Sequence, residues 1–450
     1  MSVVEIAPRQ HIIGETRAVT PRSGRPLHVL MVSDVYFPRI NGVSTSIQTF
    51  RATLAALGIR VTIVAPEYAA TDIVADAASG ALHAGDSASR AGIVRMPSRT
   101  VPLDPEDRLM QWSHLSDLDR RLGLCLPGIP LRGPASADFD LVHVQTPFAA
   151  HYAGLRLARV RGIPCIATYH THFEEYLFHY IRLLPKSALR SAARWLARHQ
   201  CNALDAVVVP SQPMAATLLG YGVDTPLHVI PTGLPESQFV RGDGGKFRQT
   251  WGIAPDRKVA LFVGRAAFEK NIGFLLEMIA LARRQQPQLM LVIAGEGPAL
   301  PALRRQAAAL RLDDHVRFVG YLPREGGLRD CYAAADVFTF ASQTETQGLV
   351  LLEAMAIGLP VLAIPALGAA EIILPRRGAV AAADTPDAFA AQLVTLIDRP
   401  GKLAAMADEA IAFAREWDAA TQGARLAALY RELVRAPVAV DCALPLAASR

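Results

Sequence analysis

The chain has few cysteines and no long apolar run. Its 450 residues include five cysteines that lie far apart, which argues against a disulfide framework and against a cysteine-based metal cluster. No apolar run reaches the roughly 18 residues that a membrane-spanning helix requires. Residues 1–26 lack a compact apolar core, so we expect a flexible tail there rather than a secretion signal. These absences favour a protein of the reducing cytoplasm.

An excess of charge of one sign is also lacking. There are 46 basic and 41 acidic residues, which leaves a net charge of +5. Such a small excess fits anionic small molecules or an anionic membrane surface, and it does not by itself argue for nucleic acid. Apolar residues make up 51% of the chain and charged residues 19%, a globular composition. The length exceeds that of one ordinary core, so we expect two domains of about 200 residues each.

Short β-branched runs alternate with amphipathic helical stretches through both halves of the chain, a pattern typical of parallel α/β sheets. The predicted strands are residues 27–33, 60–65, 93–96, 141–145, 164–168 and 206–209, followed by 259–263, 289–294, 316–319, 337–340 and 360–363. Prolines and a glycine within residues 228–239 predict a hinge. We therefore expect an α/β protein with two Rossmann-like domains that face each other across a central cleft, with ligands near the carboxyl ends of the strands.

An apolar stripe within residues 413–436 predicts a helix near the end of the chain. Leu426, Leu429, Tyr430 and Leu433 recur at helical spacing there. The helix is expected to cross back and pack on the first domain. The predicted division is thus a tail at residues 1–26, domains at 27–232 and 233–412, the crossover helix at 413–436 and a second tail at 437–450.

Two glutamates flank the start of a predicted helix in the stretch SQTETQGLVLLEAMAIGLP. Glu345 lies in the loop before the helix, and Glu353 lies inside it among apolar neighbours. Free N–H groups at the helix start would attract an anion; they belong to Gly348, Leu349 and Val350. Helix capping is an alternative explanation for Glu345. It explains Glu353 less well, because a charge among apolar side chains needs a partner.

Two further loops of the second half follow predicted strands. Arg265 and Lys270 come after Gly264, and they could supply two cations for a diphosphate. The alternative is a loop with solvated charges, and the Gly-Lys-Ser/Thr ending of a P-loop is absent. Gly295-Glu296-Gly297 resembles half of a dinucleotide fingerprint, with Leu300 at the third glycine position. A plain tight turn is the alternative there.

In the first half of the chain, the candidate site residues lie in one turn and in a group of histidines. The Asn41-Gly42 turn precedes a predicted helix, in which Thr45 and Gln48 could form a capping box. Histidines at the ends of two predicted strands are expected at the edge of the cleft, near two glutamates. They are His143, His170 and His172, with Glu174 and Glu175. Structural histidines are the alternative, and a zinc site is conceivable but is not predicted.

The motif around the two glutamates resembles the signature of the family 4 retaining glycosyltransferases. The resemblance rests on Glu345 and Glu353 with seven residues between them, and on the following Glu-Ala-Met-Ala-x-Gly-Leu-Pro-Val run. It extends from about residue 27 to about residue 436. Position 357, often Cys or Ser in that family, is Ile here. The resemblance implies the GT-B fold, with an acceptor-side first domain and a nucleotide-sugar-binding second domain.

The resemblance also implies roles for individual residues. Glu345 would bind hydroxyls of the donor sugar, and Glu353 would bind the ribose of the nucleotide. Arg265 and Lys270 would hold the diphosphate in place of a metal ion, so neither a metal nor a cofactor is expected. The remaining implied contacts are Gly42 at the diphosphate and His170 at the donor sugar near the reacting carbon. The backbone at Gly295, Gly348, Leu349 and Val350 is also expected to contact the donor, because it belongs to the glycine turn and to the helix start described above.

Residues 169–176, together with the loop before Gly348, resemble in particular the diacylglycerol glucosyltransferases of bacterial membranes and related mannosyltransferases. The implied function is transfer of a hexose from a nucleotide diphosphate sugar, with UDP-glucose favoured, to the hydroxyl of a membrane lipid such as diacylglycerol. Three alternatives remain open: a GDP-mannose-dependent mannosyltransferase, a polysaccharide or lipopolysaccharide glycosyltransferase, and a sugar-nucleotide binding protein or epimerase without transfer activity.

A basic stripe recurs every four residues in a predicted helix of the first half. It comprises Lys186, Arg190, Arg194 and Arg198. Such a face could lie on an anionic leaflet, where each cation contributes about 1 kcal/mol. A solvated helix face is the alternative. Together with the resemblance to lipid glycosyltransferases, the stripe predicts a cytoplasmic protein that is peripherally associated with the inner membrane. The stripe would lie on the side of the protein that receives the acceptor. No nucleic-acid partner is expected.

Overall fold

A computed structural model describes residues 25–68, 92–101, 104–111, 118, 121–122, 138–170, 186–324 and 326–435. The short β-branched runs of these residues form the strands of two parallel sheets and a small hairpin. The strands are β1 (His28–Val32), β2 (Arg60–Pro66), β3 (Ile93–Met96), β4 (Ser98–Val101), β5 (Asp104–Met110), β6 (Leu141–Val144), β7 (Cys165–Thr168), β8 (Ala206–Val209), β9 (Leu227–Val229), β10 (Lys258–Val263), β11 (Leu289–Ala294), β12 (Val316–Gly320), β13 (Val337–Phe340), β14 (Val361–Ala363) and β15 (Ala379–Ala381).

Amphipathic segments between the strands form the helices that cover the sheets. They are α1 (Gly42–Ala56), α2 (Ala149–Arg161), α3 (Lys186–Cys201), α4 (Gln212–Gly220), α5 (Gly244–Thr250), α6 (Ile272–Ala282), α7 (Leu300–Ala309), α8 (Gly327–Ala333), α9 (Leu349–Ala356), α10 (Ala369–Ile373), α11 (Pro386–Ile397), α12 (Pro400–Arg415) and α13 (Ala419–Arg435). Short 3-10 turns cover Glu236–Phe239 and Phe268–Lys270.

Both large sheets have doubly wound topology. The first runs β3-β2-β1-β6-β7-β8-β9 and the second β12-β11-β10-β13-β14-β15, with neighbouring strands parallel throughout. The chain reverses direction across each sheet between β1 and β6 and between β10 and β13, which is where ligands bind in such folds. The predicted α/β fold with two Rossmann-like domains is confirmed. The short edge strands β9 and β15 and the β4–β5 hairpin were not predicted.

The chain crosses between the two halves at two adjacent places. Leu234 donates its N–H to the carbonyl of Trp417 (2.7 Å), and Ala419 donates to the carbonyl of Leu234 (3.0 Å). The crossings approach so closely that a Cβ on Gly233 would lie 2.5 Å from the Cα of Ala419. This bridge also interrupts the helix predicted at residues 413–436, because α12 ends at Arg415 and α13 begins at Ala419.

The last helix returns to the first domain, as predicted. The buried apolar face of α13 joins one core cluster with the inner face of α1. From α13 these residues are Leu426, Leu429 and Tyr430, and from α1 they are Ile47, Phe50 and Leu54. The first sheet is therefore closed on this side by a segment from the end of the chain.

A buried aspartate ties the end of β1 to the start of α2. Asp34 is inaccessible to solvent. Its Oδ2 accepts hydrogen bonds from the hydroxyl of Thr146 (2.9 Å) and the N–H of Ala150 (3.0 Å). Its Oδ1 makes no hydrogen bond of ordinary geometry among the described residues, although the N–H of Met110 lies near enough to lower the pKa of the carboxyl. Burial raises the pKa of Asp34 to about 6, so the folded protein keeps this proton to a higher pH than the unfolded chain does.

Replacing Asp34 by asparagine should change the pH dependence of stability. A carboxyl with a folded-state pKa above its ordinary 3.8 stabilises the fold fully below that value, and this contribution is lost as the pH rises through about 6. We expect the free energy of unfolding of Asp34→Asn, relative to the parent, to rise by about 2–3 kcal/mol between pH 4 and pH 8. Urea unfolding across this range measures it. Asp313→Asn, at an exposed site, is the control, and a flat difference would contradict the prediction.

Candidate active site

The predicted cation Lys270 and the predicted carboxylate Glu345 meet at the switch point of the second sheet. Lys270 ends the turn after β10, and Glu345 lies in the loop after β13, which pairs with β10. Their side chains form a direct ion pair and retain 23% and 16% of their exposure. Since both remain partly accessible, a charged ligand can reach the pair from the cleft.

The second predicted cation, Arg265, lies in the same loop as Lys270. Its guanidinium pairs with Glu269 at 3.5 Å, and the two side chains are 18% and 13% exposed. Each of the two cations therefore contacts a glutamate at the carboxyl end of the sheet. An anion placed between them would meet two positive groups whose positions are already restrained.

The Gly295-Glu296-Gly297 turn packs against the loop that carries Arg265. Gly264 donates its N–H to the carbonyl of Ala294 (3.0 Å), and Ala266 donates to that of Glu296 (2.7 Å). Gly295 has a φ of +143°, and a Cβ there would lie 1.9 Å from the carbonyl oxygen of Gly264. Close backbone packing is thus a sufficient reason for glycine at this position, and donor contact by Gly295 stays a prediction.

Helix α9 begins in an open, uncapped form. Its first turn follows Gly348, which has left-handed backbone angles (φ 86°, ψ 42°), and no side chain caps the helix. Helix capping by Glu345, the alternative explanation of this residue, is therefore wrong. The N–H groups predicted to bind an anion are not taken by a capping side chain.

Glu353 has the partner that its apolar surroundings require. The carboxylate is 7% exposed and forms an ion pair with Arg324, while the hydroxyl of Tyr332 donates to its other oxygen at 3.3 Å. Burial alone lowers the pKa of Arg324, but the neighbouring Glu353 outweighs this effect and raises it. Arg324 was missed by the sequence analysis, although it follows β12 just as Lys270 follows β10.

Arg324 also contacts the first domain. Its second guanidinium nitrogen donates to the hydroxyl of Thr45 on α1 at 3.1 Å. Since Thr45 lies in the helix after β1, this bond joins the carboxyl ends of the two sheets across the cleft.

The first turn of α1 is capped differently from the prediction. Asn41 accepts from the N–H of Ser44 (2.9 Å), and the Ser44 hydroxyl accepts from the N–H of Asn41 (2.9 Å). The predicted capping box of Thr45 and Gln48 is wrong, because the helix begins at Gly42 and places both residues inside it. Gly42 itself is exposed, and a Cβ there would meet no atom within 4 Å. No described part of the protein therefore requires glycine at this position.

His170 lies at the end of β7 as a neutral ring. Burial lowers its pKa to about 4, and its Nε2 is 2.9 Å from the amide oxygen of Gln145. That oxygen can only accept, so Nε2 carries the proton and Nδ1 can accept a hydrogen bond from a ligand. The carbonyl of His170 accepts from the hydroxyl of Thr346 (2.8 Å), next to Glu345. The two predicted catalytic residues are thus brought close together across the cleft.

His143 does not lie at the cleft edge, contrary to the prediction. It belongs to β6 and is 1% exposed, because its ring points into the core, where it bonds Tyr430 of α13 (2.6 Å) and Thr168 (2.7 Å). Burial, with a smaller effect of His170, lowers its pKa to about 3. His172, Glu174 and Glu175 lie outside the described residues. Within those residues, no group of three potential ligands is placed to hold a metal ion.

Further hydrogen bonds hold the Glu345 loop against the first domain. Ser211 donates its hydroxyl to the carbonyl of Thr346 (2.6 Å). Gln347 both accepts from the N–H of Thr232 (2.9 Å) and donates to its carbonyl (2.7 Å). Together with the Thr346–His170 bond, these contacts fix the loop between the carboxyl ends of both sheets.

A recess in the first domain opens beside His170. Its volume is about 390 Å³ including the open side. Most of the surface that lines it is apolar, although Gln145, Thr146, His151, His170 and Gln200 also contribute to the lining.

The predicted basic stripe lies on α3 with its arginines exposed. Arg190, Arg194 and Arg198 are accessible, although the guanidinium of Arg194 lies over the ring of Tyr221 at 5.3 Å. Trp195 is 65% exposed and stacks on His199 with ring centroids 5.4 Å apart. Helix α3 begins at Lys186. None of the described helices is both long and apolar enough to cross a bilayer.

Each half of the chain matches the model of a known protein family. Residues 40–238 match the family model "Glycosyltransferase Family 4", and residues 244–413 match "Glycosyl transferases group 1". The UDP-glucose complex of HepE from Anabaena superimposes with a TM-score of 0.67 at 18% identity, covering 90% of this chain and 100% of the other. This structural likeness supports the GT-B fold.

Two relatives are similar over most of their length. The alpha-monoglucosyldiacylglycerol synthase of Streptococcus pneumoniae is 33% identical over 345 residues, which is 75% of this chain and 71% of the relative. The GDP-mannose-dependent alpha-mannosyltransferase of Mycobacterium tuberculosis is 29% identical over 358 residues, 78% of this chain and 82% of the relative. With both halves matched, and with Lys270, Glu345 and Glu353 assembled at the predicted edge of the second sheet, the chain belongs to the family 4 glycosyltransferases.

Proposed function

We propose that the protein is a retaining, metal-independent hexosyltransferase that moves a sugar from a nucleotide diphosphate to the hydroxyl of a membrane lipid. The observation that carries the proposal is the Lys270–Glu345 ion pair beside the uncapped start of α9. A cation and free N–H groups suit a diphosphate, and the adjacent carboxylate suits the hydroxyls of the sugar attached to it.

In the proposed reaction, the bond between the anomeric carbon and the diphosphate oxygen breaks first. Arg265, Lys270 and the start of α9 neutralise the charge that develops on the leaving diphosphate. The acceptor oxygen then bonds to the anomeric carbon on the same face and passes its proton to the diphosphate. We assign no protein nucleophile. Glu345 accepts hydrogen bonds from the sugar hydroxyls, and His170 contacts the sugar from the first domain.

UDP-glucose is the favoured donor, and GDP-mannose is the second candidate. Glucose is supported by the pneumococcal relative, a glucosyldiacylglycerol synthase, and mannose by the mycobacterial relative, named for GDP-mannose. Thermal unfolding with UDP, GDP and ADP tests the base, since a ligand at 100 times its Kd stabilises by about 2.7 kcal/mol. Stabilisation by GDP alone would overturn the choice of UDP.

Transfer itself is tested with labelled UDP-glucose and GDP-mannose in the presence of diacylglycerol vesicles. Label in the lipid fraction supports the proposal. A changed sugar without an acceptor product would indicate an epimerase, and nucleotide binding without turnover would indicate a non-transferring protein. Label in a soluble or polyprenyl-linked glycan instead would move the acceptor away from diacylglycerol.

The exposed arginines of α3 are proposed to dock the acceptor side of the protein on an anionic membrane. Since each cation contributes about 1 kcal/mol near such a surface, Arg190→Glu with Arg194→Glu should weaken binding to anionic vesicles at least about 30-fold. Co-sedimentation at increasing salt measures this, and binding of the parent should also weaken with salt.

The matched control for α3 is Arg305→Glu with Lys402→Glu, which makes the same charge change on exposed positions of the second domain. It should bind vesicles as the parent does. Thermal stability and donor hydrolysis should stay nearly unchanged in both variants. Parent-like sedimentation of the α3 variant would make the stripe a solvated helix face.

A further inference from the structure

One side chain of the donor site, Arg324, touches both domains. Its guanidinium pairs with Glu353 in the second domain and donates to the Thr45 hydroxyl in the first at 3.1 Å. The Arg324 side chain is 20% exposed and that of Glu353 is 7% exposed. Removing one partner of a pair this well shielded from water is costly, because the other charge is left buried without compensation.

The pair leaves Glu353 oriented and still able to accept further bonds. Arg324 contacts Oε1, and Tyr332 donates to Oε2. An ionised carboxylate has about four acceptor positions, so two contacts do not saturate it. Because Arg324 holds one carboxylate oxygen and Tyr332 the other, the direction of the carboxylate is fixed from both sides, while the second guanidinium nitrogen bonds Thr45. Ribose hydroxyls would meet an acceptor that needs little rearrangement.

Helix α1 is bonded to the rest of the molecule at two successive residues. Thr45 accepts from Arg324, and Ser46 pairs with the hydroxyl of Thr232 in the linker between the domains at 2.6 Å. The same helix begins at the Asn41-Gly42 turn, and the family resemblance implies that Gly42 lies at the diphosphate. Arg324 therefore connects the carboxylate for the ribose to the helix whose first turn faces the diphosphate.

We propose that Arg324 is a positioning residue that orients Glu353 for the donor ribose and couples occupation of that site to α1 of the opposite domain. The inference rests on the proposed function and on the ribose contact that the family resemblance implies for Glu353. It adds a residue that acts through Glu353 and Thr45 rather than on the reacting atoms.

The test of orientation compares UDP with 2′,3′-dideoxy-UDP by calorimetry, or the guanosine pair if the nucleotide panel selects GDP. The parent should bind UDP at least about 10-fold more tightly, as a carboxylate–hydroxyl bond implies. This ratio should fall to about 3-fold or less in Arg324→Gln and in Glu353→Gln. If Arg324→Gln does not fold, Arg324→Lys keeps the charge without the fork and should lower the same ratio. A merely structural arginine would weaken both nucleotides equally.

The test of coupling is a double-mutant cycle on the Kd of UDP. Thr45→Val removes the hydroxyl and keeps the shape, so it should weaken UDP binding about five-fold when Arg324 is present. In the Arg324→Gln background it should have no further effect. Thr49→Val, one turn further along α1, is the control, because its side chain makes no hydrogen bond to the second domain among the described residues.

The outcomes separate the inference from the function on which it rests. A parent that binds neither UDP nor GDP overturns the proposed function together with the ribose site. A parent that binds UDP and discriminates against the dideoxy form, while Arg324→Gln or Arg324→Lys discriminates equally well, overturns the positioning role alone. Additive effects of Thr45→Val and Arg324→Gln overturn the coupling.

Discussion

Replacing Glu345 by alanine is expected to lower the rate of sugar transfer by about 10²- to 10³-fold while the protein stays folded. The side chain pairs with Lys270, takes no part in capping α9 and does not belong to the apolar core of the second domain, so its removal takes no contact from that core. What is lost is an acceptor for the sugar hydroxyls and the restraint on the Lys270 ammonium. Transfer of labelled donor and thermal unfolding measure the two effects separately.

Two companion variants sharpen the result for Glu345. Glu345→Gln keeps the shape and removes the charge, so a comparable loss would identify the charge as the important property. Glu277→Gln changes an exposed glutamate of α6 and should retain full activity. Full transfer by Glu345→Ala would contradict both the proposed role and the reading of the Lys270–Glu345 pair as the centre of the site.

Replacing Gly295 by alanine is expected to destabilise the protein by about 3 kcal/mol or more. The added Cβ would lie 1.9 Å from the carbonyl oxygen of Gly264, and the φ of +143° is one that residues with a side chain rarely adopt. Because the neighbouring atom is backbone, it cannot rotate away. The loop that carries Arg265 would have to move, so activity should fall together with stability.

The control for Gly295 is Gly220→Ala, where a Cβ would meet no atom within 4 Å. Its midpoint in urea should stay close to that of the parent. If the free energy of unfolding of Gly295→Ala lay within about 1 kcal/mol of the parent's, the two loops could separate at small cost. The loops at the carboxyl ends of the second sheet would then be more easily displaced than the hydrogen bonds between them suggest.

Most of the fold and the centre of the site could be predicted because they follow from local patterns and one topological rule. Alternating apolar runs mark the longer strands, and Gly, Lys and Glu residues follow them directly. That Lys270 and Glu345 meet needs one further step. In a doubly wound sheet the fourth strand pairs with the first, so the loops after β10 and β13 become neighbours.

The features that could not be predicted depend on contacts between residues far apart in the sequence, on the exact residue at which a helix begins, or on the direction of a side chain. Arg324 gains its role only because Glu353 and Thr45, from two different domains, meet it in space. The capping box was misplaced by a shift of the helix start, since Asn41 and Ser44 compete with Thr45 and Gln48 for the same function. The ring of His143 turns toward α13, which sequence position alone does not indicate.

The return of α13 to the first domain has a consequence for the order of folding during synthesis. The inner face of α1 is covered by Leu426, Leu429 and Tyr430, which the ribosome adds almost 400 residues after Gly42. Domains generally fold as units while the chain emerges. Here the first domain must keep an apolar helix face uncovered until α13 (Ala419–Arg435) has been made, whereas all residues of the second domain's core precede that helix. Truncation of the last helix should therefore impair the domain that is made first.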